Sequence, residues 1–169
     1  HNHIDHATPE KVDAAILARL TDSPYELVPL GHAPVTPVEE LPLLPKSRYL
    51  LMDAAMPKRG ALTRNMMRAT AGFQVALDVH SREDAARKMA LLFRLSPALT
   101  ALAANSRKVA GQDSGYASYR REVWRNTDTD RTGVPLGCLH PETAIEAYVA
   151  IVKRATAMFR LTPEGVVAA

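Results

Sequence analysis

The sequence predicts an α+β fold with short antiparallel strands. Two patterns carry that expectation. From Ala71 to Val79, apolar Phe73, Val75, Leu77 and Val79 alternate with Gly72, Gln74, Ala76 and Asp78, the period-two signature of a strand. From Ser81 to about Ala104, Met89, Leu92, Leu95 and Leu99 recur at helical spacing and mark one apolar stripe. Two short apolar runs near the end, Ala157 to Leu161 and Val166 to Ala169, flank a turn at Pro163-Glu164-Gly165 and add a pair of strands.

The totals bound the class. A chain of 169 residues is expected to form a single domain, 1–169, with a real core. Its 47% apolar and 23% charged residues are ordinary for a globular protein. Aromatics are only 5%, so the core must lean on Leu, Ala, Val and Met. The net charge is +3 without a sustained Lys/Arg block, which argues against nucleic acid as a partner. One cysteine, Cys138, excludes an internal disulfide and fits a reducing, cytoplasmic setting. No apolar run approaches the about 20 residues of a membrane span, and no signal peptide is evident. The first residue is His1 rather than Met, so the true beginning is expected upstream.

The elements follow in order. His1, His3 and His6 form a cluster that can bind metal, though a frayed terminus explains it as well. Thr8 and Pro9 are a helix cap and a first-turn proline, and Val12, Ile16, Leu17 and Leu20 mark one face of the helix behind them. Tyr25 to Leu30 reads as a short strand. Residues 31–45 carry Pro34, Pro37, Pro42 and Pro45 and read as an extended connector, because each proline restricts its own φ and the residue before it. Ser47 is placed to cap a helix from Arg48 to Ala55, which Met56-Pro57-Lys58-Arg59-Gly60 breaks. Thr63 starts a short helix whose Met66 and Met67 are core filler more readily than ligands. The strand at 71–79 has a small, polar second face, suited to a groove, a ligand or plain solvent. Ser81-Arg82-Glu83-Asp84 resembles a capping box ahead of the long helix, and Pro97 should kink or split that helix. Pro141-Glu142 starts the last helix, with Ile145, Tyr148, Val149 and Val152 on its inner side.

The stretch from Asn105 to Gly133 stands apart. It is polar, aromatic and Gly-containing, holds the only Trp, and reads as loops set on a frame. Ser114 or Ser118 can cap a short helix from Tyr119 to Trp124. On that helix Arg120 and Trp124 are four apart and share a face. A guanidinium fork grips a carboxylate or phosphate through two parallel hydrogen bonds, and the indole can flank that ligand or stack on the Arg. Thr127 to Gly133, Thr-Asp-Thr-Asp-Arg-Thr-Gly, could hold a metal ion, a phosphate or only itself. A solvated amphipathic helix with a tight surface loop would read the same. There is no GxxxxGK[ST] phosphate loop, GxGxxG, paired Cys or HExxH.

Several motifs occur in series: Arg48-Tyr49 with Met52, Met-Pro-Lys-Arg-Gly at 56–60, Met-Met at 66–67, Gln-Val-Ala-Leu-Asp at 74–78, Ala-Asn-Ser at 104–106, Gly-Tyr-Ala-Ser-Tyr-Arg-Arg-Glu-Val-Trp at 115–124, and the 127–133 loop. None is specific alone; in this order the chain resembles the plant and proteobacterial type of glutamate–cysteine ligase and related carboxylate–amine ligases. The spacing holds from about Pro45 to Gly133 and more loosely to Ala169. The resemblance implies a glutamine-synthetase-like ligase fold, an antiparallel sheet curved into a funnel with outer helices. It implies dependence on ATP and Mg2+, phosphorylation of the γ-carboxylate of glutamate, and displacement of phosphate by the amine of cysteine, a step of glutathione biosynthesis. By the same resemblance Arg48 and Arg120 bind substrate carboxylates at one cleft, with Trp124 and Tyr116 as further substrate-binding candidates. Lys58, Gln74, Asn105 and Arg131 line the cleft as cofactor-binding candidates.

The chain departs from the family in two places. Ala76 stands where the family commonly has Asn, and Arg107 where it commonly has Pro. Both bear on the choice of substrates. Family members also carry an N-terminal sheet half with magnesium-binding glutamates and a C-terminal segment with further cleft residues, which this chain does not match. Catalytic and metal-binding residues are therefore left unassigned, and a partial ligase is expected, inactive in isolation and completed by the missing parts of the same enzyme. The rival readings are a non-catalytic substrate-binding or interaction module of the same ancestry, and an unrelated basic module for anionic ligands.

Overall fold

The computed structural model describes residues 9–168, apart from positions 22, 27, 73 and 164. The His1, His3 and His6 cluster and the expected Thr8 cap lie outside the described residues. Helix α1 (Pro9–Leu20) opens on the expected proline. Its Ile16 and Leu17 are exposed rather than inward. The described part of Tyr25 to Leu30 is irregular rather than a strand, with Leu30 N–H turning back to the Val28 carbonyl at 2.9 Å.

Residues 31–45 form the expected connector without regular structure, and its start is tied down. Ala33 N–H donates to the Ala69 carbonyl at 2.8 Å, and Ala71 N–H donates to the Gly31 carbonyl at 3.1 Å. Helix α2 (Ser47–Ala55) passes through a 3-10 turn (Met56–Lys58) to helix α3 (Thr63–Arg68). Ser47 is not its cap: Lys46 holds the capping position and no side-chain hydrogen bond is made there. Asp53 joins the two helices instead, accepting from Arg68 at 2.8 Å.

The strand expected over 71–79 does not form. Its described residues are irregular and exposed, Val75 at 74%, and among the described residues no strand pairs with them. Phe73 is outside the described residues. Alternation specifies which side chains share a face, but a strand also needs a neighbour to accept its backbone hydrogen bonds.

Helix α4 (Arg82–Leu102) is the longest element, as expected, and Ser81 caps it by accepting from Asp84 N–H at 3.1 Å. Pro97 lies inside it without dividing it. Proline cannot donate to the Phe93 carbonyl one turn back, and the Ser96 hydroxyl donates there instead, at 2.8 Å. The expected stripe is not buried: Leu92, Leu95 and Leu99 are exposed, and Ala86 and Ala90 make the buried contact. That contact faces helix α6 (Pro141–Arg154) and the 3-10 turn Leu136–Leu139, where Cys138 and Ala144 are buried. On α6, Tyr148, Val149 and Val152 are exposed, against expectation. Arg82 and Glu146 bridge the two helices at their surface.

Two hairpins supply the strands. β1 (Lys108–Val109) and β2 (Gln112–Asp113), unforeseen in the sequence, pair around Ala110-Gly111, both at positive φ. β3 (Phe159–Thr162) and β4 (Gly165–Ala168) pair antiparallel, close to the expected bounds. Helices with short antiparallel strands agree with the α+β class.

Candidate functional site

The site is built around helix α5 (Tyr119–Arg125), which occurs where the sequence predicts it but is capped differently. Ser118 holds the capping position, as one of the two expected serines, but its side chain makes no capping hydrogen bond. Ser106, buried and remote in sequence, accepts the Arg120 backbone N–H on its hydroxyl at 3.0 Å, while its carbonyl accepts Tyr119 N–H at 3.0 Å. Ser106 N–H in turn donates to the Ala117 carbonyl at 3.3 Å. The Ala-Asn-Ser and Tyr-Arg motifs are thereby locked together.

That lock presents the Arg120 side chain beside two glycines. A Cβ on Gly72 would lie 2.6 Å from Arg120 Nη2, and one on Gly31 would lie 3.2 Å from Arg120 Cδ and 2.7 Å from Asn105 Oδ1. Asn105 is held from the other end by donating its amide to the Pro29 carbonyl at 2.8 Å. Arg120 Cζ sits 5.8 Å from the Trp124 ring centroid, the shared face that four-residue spacing requires. Arg120 Nε is buried with no hydrogen-bond partner, and among the described residues no carboxylate pairs with this guanidinium. A buried donor without an acceptor is costly, so a fork in this state is suited to an anion brought from outside. Asn105 also borders a cleft of about 170 Å³ lined by Leu30, His32, Pro34, Ser106, Arg107 and Lys108.

His32 was given no role in the sequence, yet it is a central buried group. Its Nδ1 meets the Ala33 carbonyl at 2.8 Å, and its Nε2 faces the Asn65 amide at 3.4 Å. Its ring stands edge-on to Tyr119 at 5.2 Å. Burial pushes its pKa down, partly opposed by the Ala33 carbonyl. Burial likewise raises the Tyr119 pKa. The only sequence signal for His32 is a histidine beside a glycine at the head of a Pro-rich connector, which is too weak to act on.

The other candidates are placed as follows. Arg48 is exposed at the start of α2, with Nη2 donating to the neighbouring Tyr49 hydroxyl at 3.1 Å. α2 packs against α3 and β4, and no described contact joins Arg48 to Arg120. Tyr116 is half exposed, 6.4 Å from the Tyr119 ring. Lys58 and Gln74 are exposed, Lys58 on the 3-10 turn and Gln74 two residues beyond Gly72. Arg131 is committed locally: it donates to Asp128 at 2.6 Å and to the Thr156 carbonyl.

The 127–133 loop therefore holds itself. Asp128 is buried and takes Arg131 and the Asp130 N–H, the latter at 3.0 Å. Arg59 of the Met-Pro-Lys-Arg-Gly motif approaches both Asp128 and Asp130, at 4.0 and 3.7 Å. Gly60 allows that approach, because a Cβ there would fall on the Asn126 and Thr127 carbonyls. With its carboxylates already engaged by arginines, the loop does not fit a magnesium ion. Among the described residues no group of three or more His, Cys, Asp or Glu comes together as a metal site.

Comparison with known proteins agrees with the motif series. The model of Glutamate-cysteine ligase family 2 matches residues 7–165. The chloroplastic glutamate–cysteine ligase of Medicago truncatula is 38% identical over 120 residues, 71% of this chain and 24% of that protein. The chloroplastic enzyme of Arabidopsis thaliana is 39% identical over 120 residues, 71% of this chain and 23% of that protein. Glutamate–cysteine ligase A of Oryza sativa subsp. japonica is 37% identical over the same length. The chain thus spans about a quarter of the length of these relatives.

Proposed function

The chain belongs to Glutamate-cysteine ligase family 2, and from that premise we propose that it is part of an ATP-dependent carboxylate–amine ligase that joins glutamate to cysteine. Its role in that enzyme is to bind and orient the amino-acid substrate. The observation that carries this reading is the unpaired Arg120 fork, fixed through Ser106 and backed by Trp124. A guanidinium held by a short capped helix can take a carboxylate by two parallel bonds and set the angle at which the rest of the molecule lies. Asn105 shares the Gly31 neighbourhood with Arg120, and this reading adds Tyr116 and Gln74 to the same substrate site. In this reading Arg48 reaches the same substrate from α2, and Lys58 belongs to the nucleotide side.

ATP and Mg2+ are assigned to the complete ligase. When bound they would supply the activated γ-phosphoryl group; this chain's described residues do not offer the carboxylates to hold the metal. We therefore place those carboxylates, the glutamine-synthetase-like sheet and the rest of the cleft in regions that the relatives carry beyond this span. The setting proposed is cytoplasmic, supported by one buried cysteine. The relatives named above are ligases, which supports the enzyme over a binding module of the same ancestry.

The test is Arg120→Lys, which keeps the charge and removes the fork. L-glutamate binding to the 169-residue chain, followed by titration calorimetry, should weaken by roughly 1.5–3 kcal/mol, the scale of hydrogen bonds to a charged group. Equal affinity in the variant would refute the role given to Arg120.

A further inference from the structure

Gly72 lies in an exposed segment without regular structure, where an unbranched side chain would normally be free. The three heavy atoms nearest to a Cβ built on it all belong to the Arg120 guanidinium: Nη2 at 2.6 Å, Cζ at 3.1 Å and Nε at 3.4 Å. The positive-φ glycines are Gly111, Gly115, Gly133 and Gly165, and Gly72 is not among them. Its backbone therefore suits any L residue, so no strain of its own explains the glycine. What the missing side chain provides is space, and the guanidinium fills it.

We infer that Gly72 is a positioning residue for Arg120: its bare backbone is the surface on which the fork rests, and that contact sets where the substrate carboxylate is received. The inference rests on the reading of Arg120 as the carboxylate-binding group. Three restraints act together on the fork. Ser106 fixes the backbone of Arg120, Trp124 lies 5.8 Å from the guanidinium, and Gly72 closes the approach from the segment ahead of α4. A methyl group at 72 enters the volume of Nη2. The neighbour that must give way is the far end of a flexible side chain, so the fork moves while the fold stays. The one group displaced is then the one that meets the ligand.

The experiment is Gly72→Ala in the 169-residue chain, alone and combined with Arg120→Lys. Nitrogen–proton NMR reports the Arg Nε–H groups directly, and the Arg120 signal is identified by its loss in Arg120→Lys. In Gly72→Ala that signal should shift while backbone amides distant from 70–74 and 120 stay in place. L-glutamate affinity should fall about tenfold, the order expected when a binding group is misplaced by part of an ångström. In the Arg120→Lys background the Gly72→Ala change should cost nothing more. An unmoved Nε–H signal, or an affinity loss that persists undiminished without the fork, overturns the proposal. Should wild type fail to bind L-glutamate, the carboxylate reading falls and the Nε–H shift still decides the role of Gly72. Should Gly72→Ala unfold the chain, Gly72→Ala with Arg120→Ala must restore the fold; no restoration overturns the proposal.

Discussion

Arg120 and His32 show the two ways a polar side chain is used in this molecule. Arg120 keeps donors without partners, and His32 has both ring nitrogens engaged. In the neutral ring Nδ1–H can donate to the Ala33 carbonyl while Nε2 faces the Asn65 amide. Burial disfavours the charged ring and holds its pKa below the ordinary 6.5, with the Ala33 carbonyl partly opposing. The sign of the linkage follows. As pH falls below about 6.5 the unfolded chain takes the proton first, so stability is full above that value and declines below it. Urea midpoints measured from pH 7.5 to 5.0 should fall on the acid side, and His32→Gln should flatten that fall. An equal acid slope in the variant would count against His32 as its source. Tyr119, the ring against which His32 stands, titrates far above this window.

At the scale of elements, the short helix α5 depends on a residue outside it. An isolated helix of this length does not persist in water, so tertiary ties must hold it. Ser106 provides the tie that the local serines do not. Ser106→Ala should cost about 1 kcal/mol, the usual loss on removing a capping hydroxyl, with L-glutamate affinity falling alongside as the Arg120 backbone loosens. Ser118→Ala should leave the melting temperature unchanged, because Ser118 makes no capping bond. The reverse ranking would show that the cap is local after all. The Arg59–Asp128–Arg131 group plays the same part between the 56–60 turn and the 127–133 loop. There the buried carboxylate is enclosed by two guanidinium groups, and Gly60 lets the main chains meet. The helix break at 56–60 and the 127–133 loop, separate features in the sequence, are one another's supports.

For the whole molecule, the apolar faces exceed what the chain itself covers. The accessible surface is 12801 Å², against about 8,200 Å² from the scaling of compact monomers of this mass. Leu91, Leu92, Leu95, Leu99 and Leu102 of α4 and Val149 and Val152 of α6 lie open, as do Val75, Leu77 and Val79 ahead of α4. Apolar surface on this scale drives association. The isolated 169-residue chain is expected to bind a hydrophobic dye and to associate as concentration rises. The double variant Leu95→Lys with Leu99→Lys should reduce both, read by dye fluorescence and light scattering. A dye-silent monomer at all concentrations would mean that these faces close on themselves in solution. Little ligase turnover is expected of this chain alone, measured as ATP-dependent phosphate release with glutamate and cysteine. Turnover of ~1 per second or more, the level of ordinary enzymes, would show that the chain needs no further regions.

What the sequence determined by itself is local or serial. Ser81 and the 3.6-residue period set α4, Pro9 and Pro141 open their helices, Gly165 turns the last hairpin, and four-residue spacing brings Arg120 onto Trp124. The order of motifs also carried the family, because residues under one chemistry keep their succession even where each is unremarkable. The tertiary structure alone decided the rest. That the Ser106 hydroxyl and not that of Ser118 bonds to the start of α5, that Gly72 and Gly31 frame the Arg120 fork, and that Arg59 meets Asp128 all depend on residues that only the fold brings together. The alternation at 71–79 and the leucine stripe of α4 mark faces that favour burial. Periodicity states which residues share a face; only a partner in space, supplying hydrogen bonds or apolar cover, turns that face into a strand or a core.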